Sequence, residues 1–105
     1  MTEREHSLKC WPNYWEAIAC GDKNFEVRRD DRGFQKGDVL LLKKYDPKSG
    51  TYELDYSGLK PGHFHGLPKT IRRVITYVLT GGQMGIEAGY VVLGLAHGER
   101  AKEEK

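Results

Sequence analysis

Long apolar runs are the first thing this 105-residue chain lacks. Nothing in it approaches the roughly 20 consecutive apolar residues of a membrane-spanning helix. Its opening, Met-Thr-Glu-Arg-Glu-His, has no apolar stretch behind a basic one, so no secretory leader is expected and the expected location is cytoplasmic. Cysteine is scarce, with only Cys10 and Cys20. A helix over residues 12–19 would hold the two about 12 Å apart at about 1.5 Å per residue. A disulfide spans at most about 7 Å between Cα atoms, so both are read as free thiols in a reducing compartment. A metal-ligand set is missing too. His63 and His65 share a Gly/Pro-rich loop, without an acidic or thiol partner beside them. No cofactor is implied. An excess of one charge is also absent: 17 basic residues face 15 acidic ones, a net +2, so composition alone announces no nucleic-acid partner.

What is present suits one small domain. Apolar residues make up 38% and charged ones 30%, with 13 glycines to supply turns. The domain is expected over residues 1–96, with 97–105 a polar, disordered tail. His6–Cys10 alternates polar and apolar as a short strand does. Pro12 then suits the first turn of a helix, and Trp11, Tyr14, Trp15 and Ile18 recur at helical spacing as one apolar stripe. The two tryptophans are read as core rather than as a base-stacking platform, and Gly21 as the helix's C-terminal cap. Strands follow at Phe25–Arg28, at Val39–Leu42 (an almost continuous apolar run, suited to burial on both faces), at Thr51–Leu54, at Thr70–Leu79 and at Tyr90–Leu95. In the strand Thr70–Leu79, Ile71, Arg73, Ile75, Tyr77 and Leu79 are expected to line one face. Ser57–Pro68 reads as a mobile loop. The expected core joins Trp15, Ile18, Val39, Leu41, Ile75 and Val92. One helix and about five closely spaced strands predict an α+β fold, a small mixed β-barrel with the helix flanking its open side.

The stretch Gly21–Gly37 concentrates the charge chemistry. In a strand, successive side chains alternate between faces, so Phe25 and Val27 are expected inward and Glu26 and Arg28 together on the opposite face, with Lys23 just before them. The plain reading is a solvated face carrying a surface ion pair, worth about 0–1 kcal/mol. The functional reading is a cleft between the helix C-terminus and this strand. Arg28, Arg29, Arg32, Lys36, Lys43 and Lys44 add a basic region interleaved with Asp30, Asp31 and Asp38.

These residues also carry a resemblance. His6-Ser-Leu-Lys9, the helix with Trp15 and Ile18, Gly21-Asp-Lys23-Asn-Phe-Glu26-Val-Arg28 and Asp31-Arg32-Gly-Phe34-Gln-Lys-Gly37-Asp38 resemble the ASCH superfamily. Within it the chain is similar to the small bacterial and phage group DUF3850, as are Tyr45-Asp46-Pro47, Thr80-Gly81-Gly82-Gln83 and Gly89-Tyr90-Val-Val. The resemblance covers about residues 6–95. It implies a PUA-like pseudo-barrel and a ligand cleft at Lys23, Glu26 and Arg28, with Lys9 nearby on the first strand. Asn24 stands where relatives commonly carry Thr or Ser. Glu26 stands where the deacylating relatives place a hydroxyl.

Three functions remain open on the sequence. One is a module binding RNA or a modified nucleotide, with Lys23 and Arg28 on phosphate, Lys9 in the same cleft, Glu26 on a base edge or on Arg28, and Tyr45 or Tyr90 stacked on a base. Another is a nuclease or nucleoside amidohydrolase, with Lys23 and Glu26 catalytic. The third is a protein-interaction module in which the charges are structural.

Overall fold

The computed structural model describes residues 4–57 and 66–96. The tail 97–105, most of the loop read across Ser57–Pro68, and its two histidines lie outside the described residues. Strand β1 (Glu5–Cys10) leads into helix α1 (Pro12–Ala19), followed by β2 (Phe25–Arg29), β3 (Val39–Asp46), β4 (Thr51–Tyr52), β5 (Leu54–Asp55), β6 (Leu67–Pro68), β7 (Thr70–Thr80) and β8 (Tyr90–Leu95). The fold is α+β, mostly strand. Pro12 begins the helix, and Gly21, at φ +91°, ends it with a backbone that L side chains resist.

The main sheet runs β1-β3-β7-β8-β2, with β4 on β3, while β5 and β6 form a separate pair. Only β1–β3 is parallel, a pairing that needs the crossover supplied by α1 and β2. The expected barrel does not close, and β1 and β2 remain as the two edges. Side chains span the seam where a ladder would run. Arg28 donates to the carbonyl of Lys9, and Arg32 Nη1 donates to the carbonyl of Ser7 at 3.1 Å. Guanidinium groups thus hold β1 edge carbonyls that a neighbouring strand would otherwise take.

The core joins Leu8, Cys10, Ile18, Phe34, Leu40, Leu42, Ile71, Ile75, Val91, Leu93 and Leu95, with Trp15 and Val78 packed against it. Ile18, Val39 and Ile75 are buried as expected, and Trp15 is partly so. Leu41 and Val92 are only half-buried. Register explains both, because residues directly opposite in adjacent strands share a face. Leu41 lies opposite exposed Arg72, and Val92 lies opposite exposed Val27.

The same rule inverts β2. Glu26 lies opposite buried Leu93 and Arg28 opposite buried Val91, so the charged residues face inward. Phe25 and Val27, expected inside, are 45% and 51% exposed. Strand β7 does not keep one face either. A bulge between Ile75 and Tyr77 shifts the alternation, so Ile71 and Ile75 are buried, Val78 packs against the core and Tyr77 turns outward. The helix stripe also splits. Ile18 is buried and Trp15 Nε1 donates to the carbonyl of Leu42 at 3.0 Å, whereas Trp11 and Tyr14 are half-exposed. The helix is thus anchored to the sheet through Trp15 and Ile18, while Trp11 and Tyr14 at its start stay open to solvent.

Candidate functional site

A cleft of about 580 Å³ opens along the β1–β2 seam. One wall is the end of β1 and the start of the helix: Lys9, Cys10, Trp11 and Tyr14. The other is the whole of β2 with Tyr90 across from it, and Lys23 enters from the helix–strand connection. The cleft therefore lies beside the first half of the helix, not at its C-terminus as the sequence suggested.

Glu26 is the floor. Burial leaves the residue 5% exposed, because its strand register turns it toward the core. An ionised carboxylate buried there requires partners, and both its oxygens have them. Lys23 Nζ donates to Oε1 at 3.0 Å and Arg28 Nε donates to Oε2 at 2.9 Å. Lys23 also donates to the carbonyl of Phe25 at 2.7 Å, and its ammonium lies 5.3 Å from the Tyr14 ring centre and 4.7 Å from that of Phe25. The three groups form one partly dry unit rather than the solvated surface pair of the plain reading. The side chains of Lys23 and Arg28 are 17% and 25% exposed.

Of the residues singled out from sequence, Lys9, Lys23, Glu26, Arg28 and Tyr90 line this one cleft. Tyr45 does not line it. Its ring lies beneath the Lys9 ammonium at 4.5 Å and packs edge-on against Tyr52. Four cations, Lys9, Lys23, Arg28 and Arg29, meet the single carboxylate of Glu26 in the lining. Arg28 is less available than expected, because Nε is taken by Glu26 and Nη2 by the Lys9 carbonyl. Arg29 instead lies over the Tyr90 ring at 5.0 Å and donates to its hydroxyl at 3.2 Å.

The family described as "Domain of unknown function (DUF3850)" matches residues 5–95. The chain belongs to that family. No curated protein matches the chain. The matched span runs from the first residue of β1 to the last of β8, so both walls of the cleft are part of the DUF3850 domain.

Sequence reasoning missed six of this domain's cleft residues: Cys10, Trp11, Tyr14 and Arg29, and also Phe25 and Val27, which were expected inward. The aromatic pair had a signal. Trp11 precedes Pro12 and so stands at the N-cap, where a side chain need not follow the helix's buried stripe. Cys10 had none. Burial, then the Glu26 charge, pushes its thiol up to about 11, partly offset by Arg28 and Lys23. At neutral pH it is a protonated, poorly nucleophilic group. Both cysteines are free, Cys10 buried and Cys20 exposed. Among the described residues no three His, Cys, Asp or Glu side chains gather to hold a metal ion, and no helix is long and apolar enough to cross a membrane.

Proposed function

We propose that this DUF3850 domain is an ASCH-type, PUA-like module that binds RNA or a modified nucleotide in the seam cleft. The observation that carries the reading is the buried Glu26 carboxylate holding Lys23 and Arg28 in fixed positions among aromatic walls. Pre-ordered cations beside exposed rings suit a ligand with both an anionic and an aromatic part. In the Gly21-x-Lys23-x-x-Glu26-x-Arg28 pattern, which carries the resemblance to the ASCH superfamily, Lys23, Glu26 and Arg28 line this cleft. Lys9 and Arg29 take the phosphate contacts, and Arg28 orients rather than grips.

The hydrolase reading finds less support. Both Glu26 oxygens already accept from cations, and the Cys10 thiol is held protonated. Turnover is accordingly not expected from a panel of nucleosides and acylated nucleosides. Fluorescence anisotropy with labelled RNA and competing nucleotides tests the proposal. Saturable binding that weakens with salt and is lost in Lys9→Ala/Arg29→Ala supports it. Absence of binding to every member of the panel would sink it and return the cleft to a structural or protein-interaction role.

A further inference from the structure

The cleft has two aromatic stations rather than one. At one end Trp11 and Tyr14 lie nearly parallel, with ring centres 6.2 Å apart and planes 17° from parallel. They are 51% and 46% exposed although both belong to the lining. The Lys23 ammonium, shared between Tyr14 and Phe25, fixes this station at the Phe25 end of β2. At the other end Tyr90 faces Arg29 across the β2–β8 pairing, with the guanidinium over its ring. From Phe25 to Arg29 is four strand steps, about 13 Å at roughly 3.3 Å each. One base cannot stack at both. Cations line the path between and beside the stations: Lys9, Lys23, Arg28 and Arg29.

A basic groove with separated stacking surfaces is the arrangement that binds single strands with little regard to sequence. We infer that the occupant is a single-stranded oligonucleotide of at least two residues, one base stacked on the Trp11–Tyr14 station and another on Tyr90, with Arg29 turning from the ring toward the intervening phosphate. This rests on the nucleotide-binding reading above and adds length and strandedness to it. A duplex keeps its bases stacked on each other and offers neither face to either station.

The test uses the unaltered protein first. Affinity is measured for uridine monophosphate and for oligouridylates of two, four and six residues, with oligoadenylates and a blunt RNA duplex beside them. A marked gain from the mononucleotide to the short oligonucleotides, similar for both bases, and weak duplex binding are the expected results. Trp11→Ala and Tyr90→Ala should each weaken the tetranucleotide by about 5- to 150-fold, the equivalent of one lost stack. Tyr90→Phe keeps the ring and should keep most of the affinity. A mononucleotide binding as tightly as the tetranucleotide, or a duplex binding as well as the single strand, would overturn the inference while leaving the nucleotide-binding reading standing. So would full tetranucleotide affinity in both alanine variants. Failure of every nucleotide and oligonucleotide to bind would bring down the parent reading as well.

Discussion

Glu26 sets both the stability and the chemistry of the cleft. Removing it leaves Lys23 and Arg28 beside an apolar core with no carboxylate, and an uncompensated buried charge is costly where an exposed one is not. The two cations keep some water, so Glu26→Ala should destabilise at the lower end of the roughly 3–5 kcal/mol expected for breaking a buried pair. Urea denaturation reads this directly. A loss under about 1 kcal/mol would return the cluster to the surface ion-pair class. Cys10 supports a second prediction at this scale. Its thiol is buried, with its ionisation pushed up to about 11, whereas Cys20 is exposed. Iodoacetamide near neutral pH should therefore add one label, at Cys20, until the protein is unfolded. Prompt double labelling of the native protein, seen by mass spectrometry, would contradict the buried position of Cys10. The alternation from Phe25 to Arg29 was legible in the sequence, but its phase was not. An edge strand with a charged inner face contradicts the hydropathy rule, and only pairing with β8 fixes it.

Elements hold to one another here through a few named contacts. Ile18 is the helix's one fully buried side chain, and Trp15 adds the hydrogen bond to Leu42. Ile18→Ala should cost about 2–5 kcal/mol through lost burial and the cavity left behind. A change below about 1 kcal/mol in the denaturation midpoint analysis would mean the helix is not anchored there. Strand β3 begins at a second anchor, where buried His6 and Asp38 meet at 3.0 Å. Burial pushes the Asp38 carboxyl up, but the His6 hydrogen bond, the Gln35 amide and the Arg4 charge outweigh it and leave it below its ordinary 3.8. The sign follows by linkage. Its contribution is full above the ordinary carboxylate value and is lost as pH falls through the lower folded value. Asp38→Asn should thus lower stability at neutral pH and narrow the gap to the parent in acid, as melting temperatures against pH would register. An unchanged gap across the acid range would remove Asp38 from that role. Element positions were largely legible, because Pro12, Gly21 and the Asp46–Gly50 turn punctuate the chain. The β7 bulge was not, since Thr76 carries no local mark of the inserted residue.

For the molecule as a whole, small net charge conceals a concentrated one. The chain carries only +2, yet the cleft gathers four cations against one carboxylate. Composition alone therefore announces no polyanion partner, and the concentration of charge comes from the fold, because the open seam brings β1 and β2 together from opposite edges of the sheet. Closing it into a barrel would have replaced the guanidinium contacts to Ser7 and Lys9 with a backbone ladder and left no cleft. The number of ligand phosphates engaged follows from which cations are already committed. Arg28 is held by Glu26 and the Lys9 carbonyl, and Lys23 by Glu26 and the Phe25 carbonyl. Lys9, whose ammonium rests over a tyrosine ring, and Arg29, which donates to one hydroxyl, are the two that can turn to a phosphate at small cost. Two neutralised phosphates on a single strand give a slope of about −1.4 in log affinity against log salt, at about −0.7 each. Lys9→Ala or Arg29→Ala should halve that slope, whereas Arg28→Ala should change stability more than slope. A steep slope near −2.8, as if all four cations were engaged, would show that ligand binding breaks the Glu26 cluster apart. A flat one would show that the cations serve the fold alone.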